Sequence, residues 1–118
     1  MVDKNELKEQ FKAVSNAVSD YYALMGKIRK TCLDILIDLL SEEDGNRVEI
    51  SEENMMSVPY DGGNHPEYAS NCFSMLNAVY LKDDVIYLDI EDCDAYEIDR
   101  VDNEVVFQIA EAVVNQLV

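Results

Sequence analysis

The chain has little of what usually carries catalysis, secretion or nucleic-acid binding. It holds a single histidine, His65, and only nine lysines and arginines against 25 acids in 118 residues. No glycine-rich nucleotide loop, Gly-x-Ser-x-Gly elbow or basic stripe occurs, so enzymatic chemistry has no motif to rest on. The three cysteines, Cys32, Cys72 and Cys93, are odd in number and widely spaced. Without a Cys-x-x-Cys pair or an Asn-x-Ser/Thr acceptor they predict reduced thiols rather than a disulfide framework. Residues Met1 to Glu6 lack the apolar core of a secretory signal, and no apolar run reaches the length of a membrane span, so the expected location is the cytoplasm.

What is present suffices for one core. Apolar residues make up 48% of the chain, and the length is near that of a typical single domain. Residues 1–118 are therefore expected to fold as one unit. The net charge of −16 is unevenly spread. Residues 1–40 balance six acids against six bases, leaving nineteen acids and only Arg47, Lys82 and Arg100 for residues 41–118. Such a field repels nucleic acid and anionic membrane, so neither is expected as a direct ligand; it attracts cations or a basic protein partner. The simpler use of the same charge is solubility.

The first segment predicts one long helix over 1–44. Leu7, Phe11, Val14, Val18, Tyr21, Met25, Ile28, Cys32, Ile35 and Leu39 recur in strict 4-3 alternation, the seam of a helix that packs along its length. Asp3 is placed to cap its start, with Glu6 in capping-box position and Val2 and Leu7 in staple position, and Gly45 marks the end. A helix of this extent is roughly 55 to 60 Å long, so it must project, bend or pair. Gly26 is the natural place for a break. The dense apolar run from Cys32 to Leu40 predicts that the second half is the buried one. Phe11, Tyr21 and Cys32 are not preferred seam residues, so dimerisation through Leu7, Phe11, Val14, Val18 and Tyr21 competes with packing on the protein's own sheet.

Residues 46–101 predict an antiparallel sheet of three to four strands. Arg47 to Ser51 alternates polar with apolar, Phe73, Met75, Val79 and Leu81 share one face of a strand, and Lys82-Asp83-Asp84 turns into Val85 to Ile90. Residues 57–70, with both prolines and two of the four glycines, read as a loop. Asp99 or Asp102 caps a final helix over 102–117, apolar on most sides. The order helix, strands, helix places the fold in the α+β class.

Two clusters are candidate sites. The loop gathers Tyr60, Asp61, His65, Glu67 and Tyr68, and Asp61, His65 and Glu67 form an N/O donor set suited to a divalent metal, though a fourth ligand is missing. His65-Pro66-Glu67 lacks the Pro-Cys-x-x-Cys partner of zinc deaminases. The second cluster is acidic: Asp83 to Glu104 holds ten acids and one base, including Asp89, Glu91, Asp92, Asp94 and Glu97. No register supplies the central glycine of an EF-hand loop. No cofactor is predicted. The chain is expected to be a non-enzymatic interaction module, homodimeric through the first helix and acidic toward a basic partner. The alternatives are a small metal protein or hydrolase built on the Asp61, His65 and Glu67 loop, and an inhibitor that mimics nucleic-acid charge.

Overall fold

A computed structural model describes residues 3–62 and 72–118. Helix α1 spans Lys4–Ser41. The Asp3 carboxylate accepts from the backbone N–H of Asn5 at 2.9 Å and of Glu6 at 3.4 Å, satisfying donors that the first turn leaves open. The helix passes through Gly26 without interruption. It ends at Ser41, short of Gly45. Gly45 (φ +66°) and Asn46 (φ +52°) instead form the left-handed turn that feeds the first strand, a conformation that glycine adopts without cost from a Cβ.

Five antiparallel strands follow: β1 Arg47–Glu49, β2 Ser57–Tyr60, β3 Cys72–Lys82, β4 Val85–Ile90 and β5 Cys93–Glu97. They run β1-β3-β4-β5, and β2 also pairs with β3. β1 faces Ala78 to Tyr80 and β2 faces Cys72 to Met75, so two short strands share one long one. β2 takes the first residues of the segment expected to be a loop. Val58 and Tyr60 are buried there while Ser57 and Pro59 are exposed. Pro59 masks this alternation in the sequence, yet an edge strand tolerates its missing donor.

The face expected to carry Phe73, Met75, Val79 and Leu81 is not continuous. The β3–β4 register shifts between Leu76 and Ala78, and an extra residue exchanges the two sides of a strand. Before the shift Leu76 is buried and Phe73 is exposed; beyond it Val79 is buried. The β3–β4 hairpin turns on Asp83 (φ +52°) and Asp84 (φ +63°), the paired positive φ of a type I′ turn, which aspartate tolerates.

Helix α2, Asn103–Leu117, follows Asp102. The second half of α1 and α2 cover one face of the sheet, enclosing Leu36, Leu40, Val79, Leu88, Ile90, Ile109 and Val113 in a single core. Arg29 locks the two helices: its guanidinium donates to the carbonyl of Val101 at 2.7 Å, to Asn103 Oδ1 at 3.1 Å and to the carbonyl of Ile98 at 3.4 Å.

Among the described residues the first half of α1 has no such cover. From Asp3 to Leu24 every residue is exposed except Leu7, which is half-buried, and Met25 is the first to be sealed. At 1.5 Å per residue this overhang is about 30 Å long. It accounts for extents of 65 × 37 × 28 Å and a radius of gyration of 18.5 Å, against roughly 13 to 14 Å for a compact chain of this length. Among the described residues no helix is long and apolar enough to cross a membrane.

Candidate functional site

A 4-3 apolar repeat forms a stripe on any helix that carries it, and on the overhang that stripe faces solvent. Phe11 is 62% exposed, Val14 61%, Val18 47% and Tyr21 50%. Leu7, Phe11, Val14, Val18 and Tyr21 thus stand together on one projecting element. Tyr22 and Leu24 widen the patch, at 67% and 55% exposed, and the Tyr21 and Tyr22 rings meet edge to face with centroids 5.7 Å apart. The seam alone misses these two. Their signal in the sequence is the single charge, Asp20, between Ala13 and Gly26.

Where α1 enters the body, the overhang and the start of α2 make an inside corner with a concavity of about 710 Å³. One wall is Tyr21, Tyr22, Met25 and Arg29; the other bears Asp99, Asp102 and Glu104. No four-residue motif announces this site, because its walls lie seventy or more residues apart in the chain.

The acidic residues divide between two places. Asp89 and Glu97 lie on the outer sheet face, Asp89 opposite Ala78 and Glu97 opposite Tyr87. Asp89 is compensated locally: Arg47 bridges it to Glu49 and lies over the Tyr80 ring, 5.5 Å from its centroid. Tyr80 stacks on Tyr87 and donates its hydroxyl to the carbonyl of Asp94 at 2.7 Å. Burial, then the charges of Asp94 and Asp89, push the Tyr80 phenol up. Glu91, Asp92 and Asp94 instead surround the β4–β5 turn and are exposed. The turn is held by the Asp92 N–H donating to buried Ser74 Oγ at 3.1 Å. Among the described residues these three acids form no ion pair. Together with Tyr60, Asn77 and Asp89 they line a concavity of about 460 Å³.

Of the loop candidates, Tyr60 and Asp61 are described, and His65, Glu67 and Tyr68 lie outside the described residues. Tyr60 is buried edge to face against Tyr96, centroids 5.4 Å apart. Its hydroxyl donates to the carbonyl of Gly62 at 3.0 Å. Arg100 covers Tyr96 from 5.5 Å and pairs with Asp61 at 3.4 Å. Asp61 therefore belongs to a tyrosine–arginine cluster that closes the end of the sheet. Among the described residues no group of three or more His, Cys, Asp or Glu converges as metal ligands do.

Compared with known proteins, the chain matches no family model, no curated protein and no solved structure.

The tyrosine cluster makes stability sensitive to alkali. Burial is the main cause that pushes Tyr96 up to about 12, with Asp61 adding to it. A phenol with a folded pKa above its ordinary value near 10 stabilises the fold below that value and loses the contribution as pH rises through the folded pKa. Stability should therefore fall between about pH 10 and 12, by on the order of 2 kcal/mol from Tyr96 alone. Absorbance titration at 295 nm checks this: Tyr96 should ionise only as the fold opens. A single transition at ordinary pKa with the fold intact would remove the argument.

Proposed function

We propose that the protein is a non-enzymatic interaction module of the cytoplasm that self-associates through the projecting half of α1 and offers its acidic body to a basic protein partner. The observation that carries this reading is the exposed stripe of Phe11, Val14, Val18 and Tyr21 on an overhang that no other described residue seals. Monomeric proteins seldom leave large contiguous apolar patches in water, and a patch on a protruding element is the form an interface takes. The charge distribution supports the second half of the reading. The helix is neutral while the body carries −16, so attraction of a cationic partner is directed to the body.

Sedimentation equilibrium over a wide concentration range tests self-association; a monomer throughout would sink it. For the acidic face, neutralising Glu91→Gln, Asp92→Asn and Asp94→Asn together should weaken a captured basic partner by about tenfold at low salt, with a shallower salt dependence. Unchanged binding and an unchanged salt slope would place the contact elsewhere.

A further inference from the structure

Resting on the reading of α1 as a self-association element, we infer that the occupant of the overhang is a second copy in antiparallel orientation, with the tip of each α1 seated in the corner between α1 and α2 of the other. The direction of the stripe supports this first. At 3.6 residues per turn, Leu7, Phe11, Val14, Val18 and Tyr21 lie within about 40° of the direction of Met25, and so do Arg29, Cys32 and Leu36. Those last residues face α2 and the core, so the stripe looks toward the side on which the body lies. Two copies joined in parallel, stripe to stripe, would drive both bodies into the same space. Joined antiparallel, the bodies sit at opposite ends, and each overhang has free length until it meets the other's corner.

The register follows from seam packing, in which a-type residues of one helix face d-type residues of the other in an antiparallel pair. With full overlap Phe11 meets Tyr21 and Val14 meets Val18, Leu7 reaches the corner whose wall includes the buried Met25, and two-fold symmetry repeats these contacts. An interface of this kind is self-complementary, as a closed dimer requires. Aromatic side chains present roughly 150 to 250 Å² each, and half to two-thirds of Phe11, Tyr21 and Tyr22 is exposed. With Val14, Val18 and Leu24, two copies supply on the order of the 1,200 Å² that a specific interface buries.

Charge fixes the orientation independently. Lys4 and Lys8 lie on the same flank of α1 as Tyr22 and Arg29, whereas Glu6 and Glu9 turn away from it. Equal flanks meet in an antiparallel pair. The Arg29 flank is the one against Val101 and Asn103, where Asp99, Asp102 and Glu104 line the corner. Lys4, Lys8 and the positive end of the α1 dipole thus arrive at three carboxylates. The two acidic bodies stand farther apart than the screening length of about 8 to 10 Å.

The test is a charge exchange in the full chain. One variant carries Lys4→Glu and Lys8→Glu, the other Asp99→Lys and Glu104→Lys, all at exposed positions. Each alone should self-associate about tenfold more weakly than the unaltered protein, and an equimolar mixture should recover to within about threefold, because both corners of the mixed dimer then pair opposite charges. Circular dichroism confirms that each folds; if the double corner variant does not, Glu104→Lys alone replaces it. An unaltered protein that stays monomeric overturns the self-association reading itself. A dimer that neither exchange weakens, or that mixing does not restore, leaves self-association standing and overturns the antiparallel seating.

Discussion

Val14→Asp combined with Val18→Asp is expected to abolish self-association, weakening it at least about a hundredfold, while the melting temperature of the monomer changes little. The two valines are 61% and 47% exposed, so the folded chain makes no tertiary use of them that the substitution could remove. In an antiparallel pair they occupy the two central layers, where four introduced carboxylates would have to be buried side by side. Like charges brought out of water without partners cost several kcal/mol in total, and each 1.4 kcal/mol is a factor of ten in affinity. Light scattering on both proteins at matched concentrations gives the answer. An unchanged mass would place the interface away from the overhang, whereas a clearly lowered melting temperature of the monomer would mean that these residues serve the fold.

The second large effect concerns two neighbours on the buried half of α1. Leu36→Ala should cost about 3 kcal/mol, within the range of leucine truncations in sealed cores, and lower the melting temperature by roughly 10 °C. Ile35→Ala, one residue away, should cost under about 1 kcal/mol. Leu36 is 0% exposed in the centre of the core and Ile35 is 40% exposed. Thermal melts of both, made at one protein concentration in the Val14→Asp, Val18→Asp background, separate fold stability from association. Equal losses would show that α1 rotates its Ile35 face onto the body.

That contrast also shows how far a sequence repeat can be trusted. The 4-3 pattern correctly marks one long helix, and the crowding of apolar residues after Cys32 correctly marks its buried half. The seam nevertheless includes Ile35 and Leu39, whereas the sealed positions are Leu36 and Leu40. A straight helix drifts about 20° per heptad from a repeat of 3.5 residues. Four heptads from Leu7, the body therefore covers the next residue along. In the sheet, the strand at Ser57–Tyr60 was obscured by Pro59, and the alternation in β3 by a register shift that no local pattern encodes. The Asp83–Asp84 turn was legible because two left-handed residues in a row leave few choices of side chain. The corner beside α2 was not legible at all, since Arg29 and Asn103 become neighbours only through the packing of the core.

Met25 divides a single helix into two thermodynamic regimes. Beyond it, backbone hydrogen bonds are shielded by the core, and opening them requires unfolding of the whole domain. Before it, about 21 residues depend on their own propensity, which leaves a helix of that length only marginally formed in water. Amide exchange should therefore change by orders of magnitude within one turn of Met25 in the monomer, and the slow region should extend toward Lys4 when the overhang is covered. Ordering of the first half of α1 and its association are then parts of one equilibrium. The affinity of the interface reflects the surface that becomes buried together with the chain entropy lost by a segment that the monomer leaves free to fray.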